Sequence, residues 1–275
     1  MTRSPSRSVD AELHPPALLA EIRPLGARSV IASTLLGIES GELPVERLVS
    51  AGALFGIAEG AIRTALWRMV TAGELIADGG SYRLAGSLLA RRRRMGASSV
   101  ARRPWDGTWE IVVVDAERRP AAARQELRSA AAALHLAELR DGVWMRPDNL
   151  DPERLPDEQA SVNAQCLRFT GASGSPALAA RLFEPEVWAV RAASLIDALD
   201  RAALPARDLG PGDLVAGFRL SIAVVRHLDR DPVLPDELLP NDWPGDELRR
   251  SYVAYHDDYA HRFTAWLRDA NSPVI

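Results

Sequence analysis

The residues best suited to chemistry lie between Gly56 and Leu84. On a helical wheel, Gly60, Thr64, Trp67, Arg68 and Thr71 share one side, with Arg63 on its flank. Ile62, Leu66, Met69 and Val70 share the other, with Ala65 and Gly73 at the margins, which is the spacing of a packed helix face. An outward surface with two arginines, two threonines and a tryptophan, and one acid (Glu59) at its start, suits a polyanion. Guanidinium forks take guanine edges or phosphates, and threonine contacts the sugar-phosphate backbone or a thymine methyl. The implied chemistry is recognition of double-stranded DNA. Gly73 is placed to end the helix. Leu75-Ile-Ala and Ser81-Tyr-Arg-Leu84 then read as strands joined by Asp78-Gly-Gly, which puts Arg83 on a hairpin. Helix plus hairpin is the reading part of a winged helix-turn-helix. The plain alternative is a small helical domain that exposes an arginine pair.

Other elements must hold that stretch in place. Ser29 to Ile38 has the pattern of a first helix, and Pro44 opens a second at a position where a missing N–H costs nothing. Val45, Leu48, Val49, Leu54 and Phe55 would pack behind the third helix, with Gly56 as the turn. Residues 1–24, with four prolines, read as a flexible arm. After the hairpin, Ser87 to Met95 reads as a linker helix carrying the run Arg91–Arg94. Neighbours on a helix are about 100° apart, so these arginines cannot share one face. Some could reach phosphates and others could hold acids.

Composition bounds the rest. At 275 residues, with 47% hydrophobic and 25% charged residues, the chain is an ordinary globular protein of two or three domains. All 33 basic residues are Arg. Net charge is −4, yet residues 1–107 hold 14 Arg against 10 acids, so a basic front precedes an acidic body. The single cysteine, Cys166, excludes an internal disulfide and a multi-cysteine metal site, and is expected in a core. Pro15, Pro16 and Pro24 break the early apolar run, and no stretch is apolar enough to span a bilayer. A cytoplasmic protein with no membrane contact is expected.

From Trp105 the character changes. Trp105-Asp-Gly-Thr-Trp109 is a turn feeding a β-branched strand that ends at Asp115. Pro120 to Leu136 predicts a helix, and Ala137–Leu139 with Val143–Arg146 a hairpin. Val162–Thr170 predicts a final strand after a loop bearing Pro152 and Pro156. That order suggests a ferredoxin-like α+β domain. Beyond the linker at Gly171–Pro176, helices are expected over Leu178–Leu204 (broken at Pro185), Leu214–Leu228 and Leu248–Leu267. Between the last two, four prolines from Arg230 to Gly245 impose an extended, cornered course. His256 and His261 stand five apart on a helix, unlike zinc ligands sharing a face. Gly171-Ala-Ser-Gly does not match a nucleophile elbow, and no phosphate-cradling glycine motif is present. Neither catalytic residues nor a cofactor or metal is expected.

Three stretches together resemble one family: Gly56–Leu84 with its Arg-Thr-Ala-Leu-x-Arg core, the Trp105-Asp-Gly-x-Trp109 entry, and Asp231-Pro-x-Leu-Pro-x-x-Leu-Leu-Pro-x-x-Trp-Pro-Gly245. The chain is similar to the PaaX family, repressors of bacterial phenylacetic-acid degradation operons, over roughly residues 25 to 270. The proline-rich signature is the specific part. The resemblance implies a winged helix at 25–97, a Cas2-like ferredoxin fold at 98–173 and a helical domain at 174–275. It implies a homodimer on a palindromic double-stranded DNA operator, released by an acyl-coenzyme A thioester such as phenylacetyl-coenzyme A. Arg63, Thr64, Trp67 and Arg68 match the recognition helix and Arg83 the wing. Trp67 departs from the small polar residue expected on such a face. An apolar acyl group with phosphates needs aromatics rimmed by arginine, for which Trp105, Trp109, Trp144, Arg146 and Arg124 are the candidates. Two alternatives stand beside this reading. One is a Cas2-like metal-dependent nuclease using Asp115, with Glu117, Arg118 and Arg119 nearby. The other is a protein-binding module without DNA activity.

Overall fold

The computed structural model describes residues 24–96, 102–115, 119–151, 153, 155–171, 175–202 and 210–269. The first 23 residues of the arm, Glu117, Arg118, residues 172–174 of the linker and the side chains of Arg93 and Arg94 lie outside the described residues. The chain forms two compact units, neither continuous in sequence: residues 1–98, 191–228 and 246–275 make one, and residues 99–190 and 229–245 the other.

In the first unit, α1 (Ala27–Gly37), α2 (Val45–Leu54) and α3 (Glu59–Thr71) pack around one small core. Val30, Ile31, Leu35, Leu48, Ala51, Ile62 and Leu66 are almost wholly removed from water. Gly52 sets the α2–α3 approach, since a Cβ there would lie 2.5 Å from Ile62 Cγ1. The first helical residue of α2 is Val45, and Pro44 is its extended N-cap rather than its opening residue; Pro44 also ends a short strand, β1 (Glu42–Pro44), which the sequence pattern did not suggest. The hairpin is β2 (Leu75–Asp78) and β3 (Ser81–Leu84), and β1 pairs with β3 to give the antiparallel order β1-β3-β2. Gly79 and Gly80 have φ of +52° and +87°, the left-handed pair that a two-residue turn matching strand twist requires. The helix α4 (Gly86–Gly96) follows.

The same unit holds α9 (Pro211–Leu228) and α10 (Gly245–Asp269). Their contact is aromatic. Along α10, Tyr255, Tyr259, Phe263 and Trp266 stack in series with ring centroids 5.9, 5.8 and 6.3 Å apart. Phe218 of α9 meets Phe263 at 5.7 Å and Phe55, just after α2, at 4.9 Å. The Tyr259 hydroxyl donates to the Leu214 carbonyl at 2.7 Å, so this buried phenol is satisfied.

The second unit is built on β4 (Trp109–Val114), α5 (Ala121–Ala133), β5 (Ala137–Arg140), β6 (Val143–Pro147), α6 (Pro156–Asn163) and β7 (Cys166–Gly171). This is the βαββαβ order, with an antiparallel sheet arranged β5-β6-β4-β7. The loop expected around Pro156 is instead α6, because that proline stands in the first turn, where it favours a helix rather than breaking one. The final strand consequently begins at Cys166 and not at Val162. Strand alternation separates two cores. Val112, Trp144 and Cys166 meet Leu127, Ala130, Leu134 and Val162 on one face. Trp109 and Met145 meet Ala179, Leu234 and Leu238 on the other. Ala179 belongs to α7 (Pro176–Phe183), and Leu234 and Leu238 to the proline-rich segment. A further helix, α8 (Pro185–Ala202), contributes to both units, and its Trp188 stacks on Trp243 at 4.5 Å within the second.

Candidate nucleic-acid interface

The α3 helix buries Ile62, Leu66 and Met69 and leaves Arg63, Thr64, Trp67, Arg68 and Thr71 exposed on its other side. Trp67 is the most exposed large apolar side chain among the described residues, at 68%. Its indole packs on nothing in the core beneath α3, where Ile62, Leu66 and Met69 are buried. The Thr64 hydroxyl donates to the Gly60 carbonyl at 2.8 Å, and the Thr71 hydroxyl to the Trp67 carbonyl at 3.0 Å. Both donors are therefore engaged within the helix, and what these threonines offer outward is a methyl group and acceptor lone pairs.

Register places Arg83 opposite both Ile76 and Glu42 across the three-stranded sheet. Leu75 and Leu84 form the buried pair next to it, so Arg83 and Ile76 project from the outward face, and both are exposed. Arg28 of α1 closes on Glu74, beyond the end of α3, through two hydrogen bonds, which raise the pKa of the guanidinium above its ordinary value. Of the arginine run, Arg92 donates to the Glu39 carbonyl and so serves to hold the α1–β1 turn.

The five side chains proposed for an effector do not converge. Trp109 and Trp144 lie in the two cores on opposite faces of the same sheet. Trp105 lies half-buried in the entry turn: its indole N–H donates to the Thr108 carbonyl at 2.6 Å, while the Asp106 carboxylate accepts from the Thr108 N–H at 2.9 Å. The hydrogen bonds from Thr108 hold the Asp106 carboxyl below its usual range. Arg124 is exposed and donates to the Arg119 carbonyl at 2.8 Å. Arg146 is only 2% exposed and donates to the carbonyls of Leu134, Pro147 and Val233 at 3.0, 3.0 and 3.1 Å. It also donates to Asn149 Oδ1 at 2.8 Å. One edge of Arg146 reaches a small cleft lined by Arg103, Glu110, Asp148 and Arg168, whose charges are mutually paired as Arg103–Asp148 and Arg168–Glu110. Alternation along β4 and β6 sends Trp109 and Trp144 to different cores, so these five side chains do not line one cavity together.

Asp115 is exposed at the end of β4, and among the described residues no cluster of His, Cys, Asp or Glu is arranged to hold a metal. Cys166 lies in the helix-side core, where burial pushes its thiol pKa up. No described helix is long and apolar enough to cross a membrane.

Family models match three successive segments: a PaaX-like protein over residues 26–88, the PaaX protein central Cas2-like domain over 102–173, and the PaaX-like protein C-terminal domain over 183–268. The chain belongs to the PaaX family. Its members are generally transcriptional repressors of phenylacetic-acid catabolism, and the helix with the exposed arginines falls within the first matched segment of this PaaX chain. The chain is also similar to the solved structure of uncharacterized protein Rv0674 from Mycobacterium tuberculosis, at 38% identity and a TM-score of 0.62, covering 87% of this chain and 98% of that one. No curated protein matches it. What the sequence pattern did not single out is the pairing of Glu59 with Arg63 by Nε at 2.7 Å, although the four-residue spacing of opposite charges was there to be read.

Proposed function

We propose that this PaaX-family chain is a winged helix-turn-helix repressor that binds a palindromic operator as a homodimer. The supporting observation is the α3 face, where Arg63, Thr64, Trp67, Arg68 and Thr71 stand exposed over a fully packed opposite side. In this reading α3 enters the major groove, Arg63 and Arg68 read guanine or grip phosphate, and Trp67 packs on sugar or a thymine methyl. Arg83 on the hairpin reaches the flanking backbone as the wing. A single module of this size makes too few contacts for operator affinity, so two-fold pairing through the acidic, apolar-rich residues 108–275 supplies the second half-site.

The effector is an acyl-coenzyme A thioester, with phenylacetyl-coenzyme A first among them by family. It acts by favouring a DNA-incompetent arrangement, and a tenfold loss of operator affinity requires about 1.4 kcal/mol of differential binding. The test is a fluorescence-anisotropy titration of the chain on DNA from upstream of its own coding region, followed by addition of phenylacetyl-coenzyme A, free phenylacetate or coenzyme A. Specific binding released by the thioester alone supports the whole reading. Absence of sequence-specific binding overturns it, and equal release by free coenzyme A reduces the effector to competition between phosphates.

A further inference from the structure

Glu59 is an acid on the surface that should meet DNA. It is the first residue of α3, and its Oε1 accepts from Arg63 Nε at 2.7 Å, with both side chains more than half exposed. An exposed pair one turn apart stabilises a helix only slightly. Its geometry is more informative than its energy. The contact takes the Nε edge of the guanidinium, and the two terminal amino groups lie outside it. Those amino groups are the ones that fork end-on onto guanine O6 and N7. A carboxylate holding Nε fixes the plane of the fork before binding, so less side-chain freedom is lost at the base. The same carboxylate is repelled by phosphate, whose density on duplex DNA is about one charge per 1.7 Å. Arg68, one turn further on, has Thr64 and not an acid four residues before it.

We propose that Glu59 is a positioning residue that sets sequence specificity: it aims Arg63 at a guanine and makes the α3 face poor at holding plain backbone. Arg68 is left as the cation that binds phosphate without regard to sequence. The inference rests on the DNA-reading function proposed for α3.

The experiment uses the full chain. Duplexes are selected from a random pool by the wild-type protein, and anisotropy is measured on the selected duplex, on the same duplex with each guanine replaced in turn, and on unrelated DNA, over a range of salt. Glu59→Gln is expected to melt as the wild type does and to lose about tenfold in the ratio of selected to unrelated binding. It should also bind unrelated DNA more tightly, and replacing the guanine read by Arg63 should cost it less than it costs the wild type. Arg63→Ala should lose that guanine dependence altogether, whereas Arg68→Ala should weaken all duplexes alike. The proposal is overturned if Glu59→Gln keeps the wild-type ratio and guanine dependence while Arg63→Ala loses both. If the wild-type chain selects no sequence, the DNA-reading function itself falls and this inference falls with it.

Discussion

The Arg146 guanidinium donates to the carbonyl of Val233 at 3.1 Å, and Val233 is held there in a left-handed backbone with φ of +50°. Asn149 donates to the same carbonyl at 3.2 Å, and the Asp231 carboxylate accepts from the Val233 N–H at 2.8 Å. A β-branched residue rarely occupies that region, at a cost of about 1–3 kcal/mol, so the surroundings must over-determine it. Here both backbone polar groups of Val233 are gripped and its side chain is 1% exposed. This is the physical content of the Asp231-Pro-x-Leu-Pro signature: an extended segment pinned to the end of β6.

Substitution at Val233 should therefore invert the usual order at a buried valine. Val233→Ala loses apolar contact and keeps the backbone penalty, and should destabilise by about 1–2 kcal/mol. Val233→Gly loses one carbon more of contact but relieves the left-handed penalty, and should be the milder change by about 1 kcal/mol. Urea melts of the two variants decide this. Alanine melting later than glycine would show that the left-handed backbone carries no strain.

Arg146 is one of the arginines expected to rim an acyl-coenzyme A site, yet its guanidinium is buried against carbonyls. Truncation should instead act on folding. Arg146→Ala leaves buried carbonyls and Asn149 without their donor, a change expected to cost about 3–5 kcal/mol. Arg146→Lys should recover little of it, because one ammonium cannot follow a planar fork. A variant that melts like the wild type would show that these buried hydrogen bonds contribute nothing to folding.

The contrast between α3 and Arg146 explains how much the sequence could tell. Helical periodicity sorted Ile62, Leu66 and Met69 from Arg63, Trp67 and Arg68 correctly because one amphipathic helix carries its own inside and outside. The β-branched run likewise marked β4. Which core each strand residue joins depends on what packs on either face, and the partners of Trp109 include Leu234 and Leu238, more than 100 residues away in sequence. Such contacts have no local signal. The strand β1 is only three residues long and exists by pairing with β3, and α6 was hidden because Pro156 looked like a breaker.

Two glycines on helices should respond oppositely to alanine. A Cβ on Gly217 of α9 would lie 2.5 Å from Tyr259 Cε2 and 2.7 Å from the Tyr255 hydroxyl. The gain in helix propensity, about 1 kcal/mol, is then outweighed by overpacking against two stacked rings, for a net loss of about 1–2 kcal/mol. Gly60 on α3 has nothing within 4 Å of that position, so Gly60→Ala should stabilise by about 0.5 kcal/mol. Thermal melts of both variants test the pair. A Gly217→Ala protein more stable than wild type would mean that the α9–α10 contact is loose.

His256 gives the first unit a pH dependence. Its ring sits half-buried on α10, with the Tyr252 hydroxyl 3.4 Å from Nδ1 and its Cε1 3.7 Å from where a Cβ on Gly37 would stand. Burial pushes its pKa below the ordinary 6.5, and the neighbouring Asp257 carboxylate only partly opposes this. The unfolded chain therefore takes up the proton at a higher pH than the folded one. The stability that depends on neutral His256 is complete above about pH 6.5 and is lost as pH falls through the folded value. The melting temperature should decline as pH falls below about 6.5, and His256→Gln should flatten that part of the profile. An unchanged profile in the variant would assign the acid sensitivity to carboxylates.

The exposed α3 face makes the sharpest demand. Arg63, Trp67 and Arg68 contribute nothing to the core formed by Ile62, Leu66 and Met69, so their removal should leave the melting temperature within about a degree of wild type. Binding should respond differently at each position. Arg63→Ala is expected to cost about 1–3 kcal/mol on the preferred duplex and much less on unrelated DNA, the mark of a base contact. Arg68→Ala should weaken both duplexes in parallel and reduce the salt slope by about one ion, the mark of a phosphate contact. Trp67→Ala should weaken binding without changing the salt slope, because an indole releases no counterion. Anisotropy titrations at several salt concentrations separate these three signatures. A double variant lacking Arg63 and Arg68 that still binds as tightly as wild type would show that α3 does not face the DNA, and the exposed tryptophan would then mark a protein partner instead.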